Sequence, residues 1–163
     1  MAGHDKFERL RPLCYREAEV FLLCYSMVLP SSFRSVMGHW APEVHRLCPG
    51  VPIILVGTQS DLREDVQVLI RLADSQENPM SGDDTRLCAR SISAVTFAEC
   101  SALTPKNLKE VFDSAILASM QHAEEAAVWQ RMHTLRDKTP DKIKQLSETW
   151  WRKLSCVQSF DLQ

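Results

Sequence analysis

Glycine is scarce in this chain. Only five occur in 163 residues and none is followed by lysine, which excludes a G-x-x-x-x-G-K-[S/T] loop within it. No apolar run approaches the roughly 18 to 20 residues that a membrane-spanning helix needs. The first residues also lack the charged-then-apolar pattern of a secretory signal. The six cysteines form no C-x-x-C unit and show no metal spacing, and several stand inside apolar runs. Reduced, buried thiols are therefore expected, without a disulfide framework. What is present is ordinary for a globular chain: 45% hydrophobic and 25% charged residues, enough for one core. The net charge of −2 is uneven, because residues 129–163 carry seven Lys/Arg against four Asp/Glu. A basic tail on an acidic body suggests an anionic membrane surface as a partner, and no nucleic acid is expected.

The chain is organised around Val51–Leu62, VPIILVGTQSDL. Ile53, Ile54, Leu55 and Val56 are the continuous aliphatic run that a parallel strand covered on both faces requires, and Gly57 breaks it. In an open α/β sheet a ligand sits beyond the carboxyl ends of the strands, so Thr58, Gln59 and Asp61 stand where it would be read. A carboxylate there can accept two parallel hydrogen bonds, such as those from N1–H and the exocyclic amine of guanine. The methylenes of Gln59 would then lie against the base face.

Val20–Met27, VFLLCYSM, is a second buried-strand run. Ser31 is the expected N-cap of a helix whose Phe33, Val36, Met37 and Trp40 recur at helical spacing, with Trp40 in the core. Pro42 should kink that helix and Cys48-Pro49-Gly50 should end it. Strand, helix and strand then cross over right-handed into a parallel sheet, an α/β arrangement. Leu62–Asp84 reads as a short surface helix and a loop, Thr85–Ile92 as another helix, and Val95–Cys100 as a third strand. That strand ends in Ser101-Ala102-Leu103, at the same sheet edge as Asp61. Thr104-Pro105 is the expected cap of a last core helix bearing the stripe Leu108, Val111, Phe112, Ala115, Ile116 and Ser119. A polar linker from Gln121 should leave His122, Trp129 and His133 at the surface. Thr139-Pro140 then opens a short helix with Ile143, Leu146 and Trp150 on one side and Lys142, Lys144, Arg152 and Lys153 around it. It reads either as a frayed tail or as a membrane-interface anchor, in which Trp150-Trp151 and an S-acylated Cys156 would take part.

Several of these stretches resemble one family. Thr58-Gln59-Ser60-Asp61 resembles the guanine-specificity loop of Ras-like GTPases in its Rho-type spelling, T-[KQ]-x-D, and Ser101-Ala102-Leu103 resembles the S-A-[KL] loop that follows it. Ala2–Tyr15 resembles the second switch region, with its R-L-R-P-L-x-Y stretch. ECSALTPKNLKEVFD and the TPDK and WWRK pieces of the tail bring the chain nearest to the atypical Rho subgroup of RhoU and RhoV, also called Wrch and Chp. Leu62–Asp84 matches an extra helical insert of Rho proteins.

The resemblance implies a partial Ras-like G domain over residues 1–122, three-layered with a mostly parallel sheet, followed by a linker and basic amphipathic tail over 123–163. It implies that the first three strands, the phosphate loop, the first helix and the first switch of such a domain are missing. The strand Val20–Met27 would then keep an unpaired edge, and the last helix would lose part of its cover. GTP or GDP with Mg is the implied ligand, although the Mg ligands are absent from this chain. Guanine would be read by Thr58, Gln59, Asp61, Ser101, Ala102 and Leu103. Gly3 would offer its N–H to the γ-phosphate, and His4 stands where the family has its water-orienting glutamine. Effector and regulator proteins are the implied partners, in signalling to the cytoskeleton and cell shape. Palmitate on Cys156, and residence in the cytoplasm and on the cytoplasmic face of the plasma membrane or endomembranes, follow in the same way.

Three departures stand against this: no phosphate loop, His4 for glutamine, and Ser155 and Val157 where a second terminal cysteine is expected. The chain as given is therefore expected to lack GTP hydrolysis. An alternative stays open, a nucleotide-free interaction module presenting the switch-two surface and the tail.

Overall fold

The computed structural model describes residues 11–138. Gly3, His4, most of the switch-two stretch, the helix expected from Thr139-Pro140 and Cys156 lie outside the described residues. The chain divides into two compact units, Met1–His122 and Ala123–Gln163.

Three parallel strands, β1 (Phe21–Ser26), β2 (Ile53–Thr58) and β3 (Thr96–Glu99), pair in the order β1-β2-β3. The central strand is buried on both faces, with Ile53 to Val56 at most 2% exposed, which is why it reads as an unbroken aliphatic run. Register pairs Ser26 with Thr58 and Gly57 with Glu99, so the polar ends of all three strands meet at one sheet edge. Alternation along the strands makes two cores. Leu23, Tyr25, Met27, Ile53 and Leu55 pack with Phe33, Val36, Val44, Ala89 and Ile92 on one face, while Ile54 and Val56 pack with Val111, Ala115 and Ala118 on the other.

The first core is covered by α2 (Pro30–Ser35), α3 (Ala41–Leu47) and α5 (Gly82–Ser91), with α1 (Arg11–Tyr15) preceding the sheet and α4 (Val66–Asp74) in the charged segment after Asp61. Ser31 does not cap α2. Pro30, whose fixed φ and missing N–H suit the first helical position, starts the helix two residues earlier with Leu29 at the cap. Ser32 is used instead: its Oγ accepts from Ser26 N–H (2.9 Å) and donates to Leu29 O (2.6 Å). The kink expected at Pro42 takes the form of a π turn over Val36–Trp40, closed by Ala41 N–H donating to Val36 O. That widening accommodates a proline that has no N–H to offer the preceding turn. Trp40 is half-buried against the core, with the Arg11 guanidinium 5.0 Å above its ring. Helices α4 and α5 are capped by Asp65, accepting from Val68 N–H, and Ser81, accepting from Asp84 N–H.

The second core is covered by α6 (Leu108–Lys138). Thr104-Pro105 does not cap it: the loop turns again at Asn107, φ 55, and α6 begins only at Leu108, while Thr104 N–H is held within the loop by Ser101 Oγ at 3.0 Å. The polar stretch after Gln121, expected as a linker, is helical and continuous with α6; its Ala-Glu-Glu-Ala-Ala run has high helix propensity. Along the expected stripe only Val111, Ala115 and the unforeseen Ala118 are fully buried, whereas Phe112 and Ile116 are 55% and 59% exposed. Among the described cysteines all are free, Cys100 is buried, and Cys48 and Cys88 are intermediate. Cys14 and Cys24 are exposed, against expectation: Cys24 lies on β1, which among the described residues has a single strand neighbour, β2.

Candidate functional site

Two loops leave the carboxyl ends of β2 and β3, and backbone hydrogen bonds join them. Cys100 N–H donates to Gly57 O at 2.8 Å and Ser60 N–H donates to Cys100 O at 3.1 Å. Gly57 lets the first loop pass close to β1, since a Cβ there would meet Tyr25 Oη at 2.9 Å and Met27 Cγ at 3.1 Å. Tyr25 is fixed in turn by a 2.8 Å hydrogen bond with Thr85 Oγ1, and burial pushes its phenol above the ordinary range so that it stays protonated.

The first loop is tied at nearly every residue. Thr58 Oγ1 donates to Tyr25 O at 2.8 Å. Gln59 adopts the left-handed conformation, φ 59 and ψ 38, and its Oε1 accepts from Ser26 Oγ at 2.5 Å. Arg63 makes two hydrogen bonds to Glu99 and a third to Met80 O. Asp61 is the exception: half-buried in a 3-10 turn over Ser60–Leu62, its carboxylate has no hydrogen bond or ion pair among the described residues. The Ser60 Oγ beside it is buried and equally unpartnered.

In the second loop Ser101 is fully buried; its N–H donates to Lys106 O at 3.0 Å and its Oγ accepts from Thr104 N–H. Ala102 and Leu103 are exposed, and their backbone N–H groups have no partner among the described residues. Asn107 Nδ2 braces the loop by donating to Glu99 O at 3.1 Å.

The joined loops thus leave free one carboxylate, two backbone donors, the Gln59 amide N–H groups and one hydroxyl. A flat ring carrying adjacent N–H donors and a carbonyl acceptor, as guanine does, fits this set. A carboxylate facing the acceptor N1 of adenine would be repelled, so an acceptor at this place suits guanine better than adenine. The described residues do not fit a phosphate chain with its metal ion. Among the described residues no group of three or more His, Cys, Asp or Glu could hold a metal, and no glycine of the chain precedes a lysine. Gly3 and His4 lie outside the described residues.

Ser26, Arg63, Glu99 and Asn107 brace this site and were not foreseen in the sequence. Ser26 carried a usable signal, since it ends the VFLLCYSM run and so reaches the same sheet edge as Thr58.

Comparison with known proteins bears on this geometry. Residues 1–121 match the model of the Ras family. The chain is 44% identical over 156 residues to the Rho-related GTP-binding protein RhoV of mouse and of human, and 43% identical to that of cattle. In each case the match covers 95% of this chain and 63% of the relative, so the chain spans less than two-thirds of the length of these proteins. With its parallel sheet flanked by helices on both faces, the chain belongs to the Ras family, on its Rho branch near RhoU and RhoV.

Proposed function

We propose that this chain carries the guanine-reading part of a Rho-type GTP-binding protein. Asp61 accepts from the base, Ala102 and Leu103 donate backbone N–H groups to it, Gln59 lies against its face, and Thr58 and Ser101 hold the two loops. The observation that carries this reading is the unpartnered Asp61 carboxylate in a loop where the side chains of Thr58, Gln59 and Arg63 are all tied. A base without phosphates is the ligand that the described residues suit. Mg·GTP, which the family binds, gains little more here because its phosphate contacts are not supplied.

Residues 1–122 act as the nucleotide-binding part and 123–163 as the tail. His4, at the family's water-orienting position, and the lack of a Gly-Lys-[Ser/Thr] loop both point to no measurable GTP turnover from this chain. The Rho resemblance extends the role to a switch in signalling to the cytoskeleton, with effector and regulator proteins as partners. The basic tail and Cys156 extend it to attachment at the cytoplasmic face of a membrane. No described helix is long and apolar enough to cross one. A second reading, an interaction module that binds no nucleotide, is favoured by the edge of β1, which among the described residues has one strand neighbour, and by the exposed Phe112 and Ile116.

Titration of the chain with guanosine and adenosine, followed by amide chemical shifts, separates the two readings. Guanosine should bind with a Kd of about 1 mM, adenosine should not, and Asp61→Ala should abolish the response. Absence of any guanosine response selects the second reading, and a submicromolar affinity for Mg·GTP overturns the account of the missing phosphate contacts.

A further inference from the structure

Gln59 is exposed, on a left-handed backbone, and yet its side chain is held. The holder is Ser26, thirty-three residues away in sequence and brought opposite Thr58 by the parallel register of β1 and β2. Ser26 is itself fixed on both sides. Its N–H donates to Ser32 Oγ at 2.9 Å, and its Oγ accepts from Val28 N–H at 3.3 Å. With Val28 donating to the hydroxyl oxygen, the hydroxyl proton is directed at Gln59 Oε1.

That polarity decides which end of the Gln59 amide is offered outward. The oxygen is engaged by Ser26, and the Nε2 amide has no partner among the described residues. A free glutamine at the surface would sample several rotamers, and fixing one on binding costs side-chain entropy. Here the cost has been met before the ligand arrives, and the left-handed backbone, anchored by Ser60 N–H to Cys100 O and Leu62 N–H to Gln59 O, sets the direction of the side chain.

We propose that Ser26 is a positioning residue of the nucleobase site: it locks the Gln59 side chain so that its methylenes wait as a platform for the base and its amide N–H groups are presented as donors. This rests on the guanine reading given above. Ser26 does not touch the base; it acts through Gln59. A threonine at this position keeps the hydroxyl and an alanine removes it.

The test uses the full chain in two measurements. Without ligand, the order parameter of the Gln59 side-chain amide is compared in the wild type, Ser26→Ala and Ser26→Thr. Ser26→Ala should mobilise that amide, Ser26→Thr should leave it ordered, and equal order in all three overturns the proposal. With guanosine as the probe, Ser26→Ala should weaken binding about three- to tenfold, the worth of one net hydrogen bond. In the Gln59→Ala background the same change should weaken it no further. An undiminished loss in that background means that Ser26 acts by another route and overturns the proposal. If guanosine fails to bind the wild type while Ser26 still orders Gln59, the base-binding reading has failed and the proposed role with it; the ligand-free measurement identifies which premise gave way.

Discussion

Arg63 and Glu99 face each other through two hydrogen bonds, Nη1 to Oε2 at 2.9 Å and Nη2 to Oε1 at 2.8 Å, and so clasp the loop after β2 to the end of β3. Both side chains are partly buried, and the paired geometry is the one in which an arginine–carboxylate contact is strongest. Arg63→Lys cannot reproduce the fork. It should cost about 1 to 2 kcal/mol in urea unfolding and speed hydrogen exchange at Ser60, whose N–H bonds to Cys100 O. Unchanged exchange at Ser60 would show that the clasp does not hold the loops together.

Gly57→Ala should destabilise the chain by about 1 to 3 kcal/mol, the usual cost of forcing a methyl group into a filled space. Its Cβ would lie 2.9 Å from Tyr25 Oη, an atom that the Thr85 hydrogen bond keeps from moving aside. Tyr25→Phe removes that oxygen, so the double variant should lose less than the two single losses combined. Strict additivity in thermal unfolding would contradict the contact.

Glu43 ties α1 to α3. It accepts from Arg11 Nε and Nη2, both at 3.1 Å, and from Tyr15 Oη at 2.8 Å. The Arg11 hydrogen bonds hold its carboxyl below the ordinary range, and burial, with Glu43 beside it, pushes the Tyr15 phenol up to about 12. The depressed carboxyl contributes stability that is present above the unfolded pKa of roughly 4.3 and is lost as pH falls through the folded value. The raised phenol contributes stability that is present below about pH 10 and fades as pH rises toward its folded value. The stability gap between wild type and Glu43→Gln should therefore be widest at neutral pH, about 3 kcal/mol, and should shrink in acid. A gap independent of pH between 7 and 3 would refute the assignment.

The sheet was legible because β2 is buried on both faces, and such a strand must be written in aliphatic residues. The Asp61 loop was legible for the same reason, as the first polar stretch beyond that run. Local signals failed where the helix began at another residue than the one they pointed to. The turn at Asn107 makes α6 begin at Leu108, past Thr104-Pro105, and Pro30 takes the helix start that Ser31 was expected to mark. Ser26 braces Gln59 only because two strands lie in one register, which no window of sequence contains. Burial of Cys24 and Phe112 could not be read from their own apolar character, since it depends on what lies opposite them.

The two flanks of α6 give that last distinction a measurable form. Val111 is 3% exposed and touches the Ile54 and Val56 core, whereas Phe112 and Ile116, one and five residues further on, are more than half exposed. Periodicity assigns all three to one apolar stripe, and on that basis each should cost a similar amount when truncated. The packing assigns them differently. Val111→Ala removes both buried γ-methyl groups, leaving a gap, and should cost about 2 kcal/mol. Phe112→Ser and Ile116→Ser should each change stability by no more than about 0.5 kcal/mol, as exposed positions do, while reducing the exposed apolar surface that favours association. Urea unfolding of the three variants at low concentration decides between the two pictures. A loss at Phe112 as large as that at Val111 would mean that the outer flank of the helix is covered in solution.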